Sequence, residues 1–74
     1  MLKVKLGNRL YKSIDNCVEW CKFIILFEEN SEYYIIPCRD LYDFNENLFA
    51  ISCKNARIVE CFEKCDGKWI FKSV

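Results

Sequence analysis

A chain of 74 residues with eleven basic and eleven acidic side chains carries no net charge, so it has no long-range pull on nucleic acid and no overall acidic mimicry of it. At 53% hydrophobic and 16% aromatic it is too apolar for disorder, and its length allows one small domain. It contains no histidine, which excludes Ser-His-Asp catalysis and the usual base for a nucleophilic cysteine.

The charges are unevenly placed. Lys3, Lys5, Arg9 and Lys12 precede any acid, and residues 13–51 hold eight acids against Lys22 and Arg39. A polarised surface of this kind orients a partner. The opening stretch "MLKVKLGNRL" alternates charge with apolar residues and does not read as a signal peptide. The longest apolar run, Phe23 to Phe27, is far short of the roughly 20 residues that span a bilayer. The expectation is a cytoplasmic protein with no membrane partner, whose thiols stay reduced.

In chain order, Gly7-Asn8 between "KVKL" and "RLYK" predicts a type II′ hairpin. Leu2, Val4, Leu6 and Tyr11 would share its buried face. Ile14, Cys17, Val18 and Cys21 then recur at i, i+3, i+4 and i+7, behind the capping residue Ser13. This predicts a short amphipathic helix over about residues 14–22, in preference to a strand running on into "FIILF". In "FIILFEENSEYYIIP", two apolar runs flank a polar loop and read as a central strand pair ended by Pro37. "CRDLYDFNEN" reads as irregular and "LFAISC" as a further strand.

In the last segment, "NARIVECFEKCDGKWIFKSV", two readings exclude each other. Ile58, Cys61, Phe62 and Cys65 fit helical spacing, with Gly67 as the stop. Asp66-Gly67 between β-prone runs is equally a hairpin signal, pairing Phe62 with Phe71 and Lys64 with Trp69. Val, Ile, Phe and Cys tilt the choice towards the hairpin. The expected fold is α+β: a small single domain, an antiparallel sheet of hairpins with one short helix. The alternative is a small all-β barrel.

The pattern Cys-x-Glu-x-Cys occurs twice, at Cys17/Cys21 and Cys61/Cys65. All four cysteines would make a zinc site only if both motifs were helical and facing, because on a strand each pair is roughly 13 Å apart. Six cysteines allow fifteen disulfide connectivities. The preferred reading is that the thiols are small core hydrophobes and that there is no cofactor. Asp40, Asp43 and Glu46, spaced by three, read as a solvated acidic loop rather than a hard-cation site.

For function, the expectation is a small non-enzymatic protein-interaction module. Its candidate surface is Tyr33, Tyr34, Asp40, Tyr42, Asp43, Phe44 and Glu46, where tyrosines anchor and acids meet a basic patch on another protein. Tyr42 and Phe44 are the pair expected to be exposed. The alternative is a zinc-stabilised domain, or one that touches nucleic acid through Lys3, Lys5, Arg9, Tyr11 and Lys12. The abundance of Ile, Lys, Asn, Phe and Tyr, residues of AT-rich codons, is shared by short proteins of phages and mobile elements. That association suggests an inhibitor of a host complex.

Overall fold

The computed structural model describes the backbone of residues 2–4 and the whole of residues 21–73. Within them the elements are β1 (Leu2–Val4), β2 (Phe23–Glu29), β3 (Glu32–Cys38), α1 (Leu41–Ser52), β4 (Ala56–Cys65) and β5 (Lys68–Phe71). The strands form one open antiparallel sheet in the order β1-β3-β2-β4-β5. The fold is α+β, and among the described residues the sheet is not closed into a barrel.

β2 lies at the centre, and Phe23 to Phe27 are buried on consecutive positions because both faces of the strand are covered. Phe23, Ile25 and Phe27 face α1, and pack with Cys38, Phe44, Ile51 and Cys61. Ile24 and Leu26 point the other way and pack with Cys21, Ile35 and Phe62. The alternation along one strand therefore splits an unbroken apolar run into two clusters.

Both described hairpins turn on two residues. Asn30 and Ser31 (φ 53° and 64°) and Asp66 and Gly67 (φ 51° and 76°) all have positive φ, as a type I′ turn requires. That handedness matches the twist of the flanking strands. The polar loop expected between β2 and β3 is thus only a turn, and Glu28, Glu29 and Glu32 belong to strands. Pro37 does not end β3, which runs on to Cys38. The hydrogen-bonded pair Glu29–Glu32 closes the turn, and alternation from there leaves Pro37 off the ladder to β2. The β1 pairing stops at Ile35, so the missing N–H of Pro37 interrupts neither ladder among the described residues.

The C-terminal segment is the hairpin, not the helix. Phe62 pairs with Phe71 and Lys64 with Trp69. The helical spacing of Ile58 and Cys61 has a different cause. A register shift between Leu26 and Phe27 places one extra residue in β4. This bulge lets two residues three apart, Ile58 and Cys61, both face α1.

One further expectation is corrected. Residues 41–52, read as an irregular stretch followed by a strand, form one helix. Of the helix expected over about residues 14–22, only Cys21 and Lys22 are described, and neither is helical. Lys22 N donates to Cys38 O at 2.9 Å, and Lys64 N donates to Lys22 O at 2.9 Å. The rest of that helix, and the hairpin expected at Gly7-Asn8, lie outside the described residues.

Candidate protein-binding surface

The surface begins with the reason α1 starts where it does. Asp40 is extended (φ −149°), and its Oδ1 accepts the Asp43 N–H at 2.8 Å. Asp43 reaches back, its Oδ2 accepting the Arg39 N–H at 3.0 Å. One helix-start donor and the N–H of the residue before the cap are thus satisfied, an arrangement like a capping box with aspartate in the place of glutamate and its return bond one residue earlier. Both carboxylates also stabilise the positive end of the helix dipole. Asn47 continues the network, its Nδ2 donating to the Asp43 carbonyl at 2.8 Å and to Asp43 Oδ1 at 3.0 Å.

With the helix set at Asp40, its periodicity decides what faces out. Phe44, Leu48 and Ile51 recur at i, i+4 and i+7 and pack on the sheet. The opposite stripe is Tyr42, Asn45, Glu46 and Phe49. Tyr42 is 74% and Phe49 70% exposed, large values for aromatic rings. The four residues line an open hollow of about 180 Å³. A second open hollow of about 360 Å³, lined by Arg39, Asp40, Tyr42 and Asp43, adjoins it through Tyr42. The Tyr42 hydroxyl hydrogen-bonds the Glu46 carboxylate one turn on, which pushes the phenol above its ordinary range. The stripe is therefore aromatic at its ends and acidic between them.

The expected site residues are not one patch. Tyr42, Asp40, Asp43 and Glu46 come together around the start of α1. Phe44 does not join them. It is 2% exposed and its ring sits 5.2 Å from that of Phe23, so it is core and the expectation of exposure is overturned. The reason is the helix: two residues apart on a helix means nearly opposite faces. Tyr33 and Tyr34 lie on β3, on opposite faces of the sheet. Tyr34 stacks on Phe27 with centroids 5.4 Å apart, and its hydroxyl donates to Glu32 Oε2 at 2.8 Å. A hydrogen bond to Glu28 pushes the Tyr33 phenol up. Glu28 also meets Arg57 at 3.4 Å, so Tyr33 belongs to a row running across three strands. Phe49, in turn, was missed. Its signal was its place seven residues after Tyr42, on the face opposite Phe44, Leu48 and Ile51.

Comparison with known protein families, with curated proteins and with solved structures finds no match for this chain. The chemistry of the surface carries the functional reading by itself.

That chemistry bears on the alternatives as well. Cys61 and Cys65 lie on strand β4, so their sulfurs cannot share one ion as a helical pair would. Cys61 is buried on the α1 side, Cys21 in the opposite cluster, and Cys65 is exposed. The zinc arrangement needed both motifs helical, and the second is not. Among the described residues no group of potential ligands gathers around a metal position. Cys17, Lys5, Arg9, Tyr11 and Lys12 lie outside the described residues, as does the side chain of Lys3. Cys21, Cys38, Cys53, Cys61 and Cys65 are all unpaired thiols. Burial pushes Cys38 up to about 12 and Cys61 up to about 11. No described helix is long and apolar enough to cross a membrane.

Proposed function

We propose that the chain is a small, non-catalytic interaction domain that binds a basic surface of another protein through the outward face of α1. The observation that carries this reading is the pair of exposed rings, Tyr42 and Phe49, flanking Glu46 beside Asp40 and Asp43. Aromatic anchors give contact area with little loss of side-chain freedom, and the acids select a partner of opposite charge. Inhibition of a larger host complex, in the manner of phage and mobile-element proteins, is the biological form that the composition bias favours.

The test is capture of partners from cell extract by the immobilised protein, quantified against a variant carrying Tyr42→Ala, Glu46→Lys and Phe49→Ala. Asp43 is left intact because it holds the helix start. The variant should keep its helical circular dichroism and lose the partner. A partner retained equally by both proteins would exclude this face.

A further inference from the structure

β5 is the outermost strand of the described sheet, and its outer side has no described neighbour. Which backbone groups that side presents follows from the ladder to β4. Lys72 N donates to Cys61 O at 2.8 Å, and Cys65 pairs with Lys68 across the two-residue turn. In an antiparallel ladder, hydrogen-bonded and non-hydrogen-bonded pairs alternate. Lys68, Ile70 and Lys72 therefore direct their N–H and C=O groups at β4. Those of Trp69 and Phe71 point outward.

The side chains along this edge have a distinct pattern. Phe71 is 68% exposed, with its ring centroid 5.4 Å from that of Phe62. On the same face is Trp69, with Lys64 Nζ 5.8 Å from its ring centroid. On the face that α1 covers, Ile70 is 47% exposed and stands between Lys68 and Lys72. No acid lies on the strand. The edge is apolar along its middle, with the exposed Lys68 at one end and Lys72 at the other, its Nζ 5.6 Å from the ring centroid of Phe23 and 5.9 Å from that of Phe44.

That pattern decides what can pair with it. A second copy, joined antiparallel about Ile70, would set Lys68 against the other Lys72 at both ends of the contact. Like charges directly opposite are destabilising. An incoming strand with acids at those two positions turns both repulsions into attractions. We propose that the outer edge of β5, which has no neighbour among the described residues, accepts an extended peptide of the pattern acid–apolar–apolar–apolar–acid as an added antiparallel strand. Its backbone bonds Trp69 and Phe71, and its acids face Lys68 and Lys72. Strand addition of this kind takes affinity from main-chain hydrogen bonds and specificity from alternate side chains. The site is independent of the α1 face and carries the opposite charge.

The probe is the end-capped peptide Thr-Glu-Val-Ile-Val-Glu-Thr, with a twin in which lysine replaces both glutamates. Binding is read by calorimetry and by amide exchange at Trp69 and Phe71. The acidic peptide should bind and protect both amides, and the basic twin should bind at least about tenfold more weakly. Phe71→Pro removes an outward N–H while leaving the β4 ladder whole, and should abolish binding. Lys68→Glu, at an exposed position, gives each twin one attraction and one repulsion, so it should bring the two affinities together while binding persists, and this separates loss of charge selection from loss of the fold. Equal binding of the twins by the wild-type protein, or acidic binding that survives Phe71→Pro, would overturn the proposal. So would tighter binding of single-stranded oligonucleotide than of the acidic peptide, since lysines and aromatics also serve that ligand.

Discussion

Phe44 and Tyr42 differ by about half a turn of direction and by their whole energetic role. Phe44 fills the space between α1 and β2, beneath Lys72, whose ammonium lies 5.9 Å from its ring centroid. Phe44→Ala should cost about 3–5 kcal/mol, a large part of what a domain this small has. Tyr42→Ala, at the surface, should stay within about 0.5 kcal/mol of wild type. Urea midpoints of the two variants check this, and similar losses would mean the ring of Tyr42 is not free. The buried thiols are equally residue-specific. Cys38 is pushed up by burial first, then by Asp43, Cys21 and Cys61, against a smaller opposing effect of Asn47. Such a thiol is a poor nucleophile. Iodoacetamide at pH 8 should label the exposed Cys53 and Cys65 well before Cys21, Cys38 or Cys61. The same shifts set a pH dependence. An unfolded thiol ionises near 9, whereas the folded Cys38 and Cys61 hold their protons to about 12 and 11. Their contribution is full below pH 9, and falls as pH rises because the unfolded chain alone gives up protons. The loss is at most about 1.4 kcal/mol per pH unit per thiol. Stability measured between pH 7 and 10 should fall less steeply in Cys38→Ala than in wild type.

At the scale of elements, stability rests on how each one starts and turns. Asp40→Ala removes the acceptor for the Asp43 N–H and should cost about 1 kcal/mol, seen as a lower thermal midpoint. Asp40→Asn should recover most of that. Ser31 holds a left-handed φ of 64° with a Cβ present. Ser31→Gly should therefore stabilise the β2–β3 hairpin by about 0.5–1 kcal/mol. No gain would mean the turn relaxes without strain. These details also show which elements were readable. β2, β3 and the β4–β5 hairpin were legible, because long apolar runs and an Asp-Gly turn are local signals. α1 was not. Its residues "LYDFNENLFAIS" include two asparagines and two phenylalanines, which are indifferent helix formers. Division before Leu48 also split the Phe44–Leu48–Ile51 stripe between two fragments. The capping pair Asp40 and Asp43 was present but looked like one more acidic cluster. The bulge in β4 worked in the opposite sense, imitating helical spacing on a strand. Of the candidate surface, the acids and Tyr42 were legible. Phe49 was not, because its exposure follows only from the helix.

For the molecule as a whole, zero net charge conceals two surfaces of opposite sign: the outward face of α1 with Asp40, Asp43 and Glu46, and the β5 edge with Lys68 and Lys72. An open sheet must keep its edges from pairing with copies of themselves, and lysine on an edge strand is a common means. Here the geometry makes the argument specific. Self-pairing about Ile70 repeats the Lys68–Lys72 opposition twice, while the three residues between are apolar and well suited to a ladder. One substitution therefore removes both repulsions. Lys68→Val should convert the β5 edge into a self-associating one, with sedimentation velocity showing dimers that grow with concentration. Adding Phe71→Pro should dissolve them, because it removes a backbone donor on which the new ladder depends. If Lys68→Val stays as monomeric as wild type, charge is not what keeps this edge apart. If the dimers survive Phe71→Pro, the association runs through another surface. The wild-type chain, on this reading, is held in readiness for an acidic strand by the same two lysines that refuse its own copy.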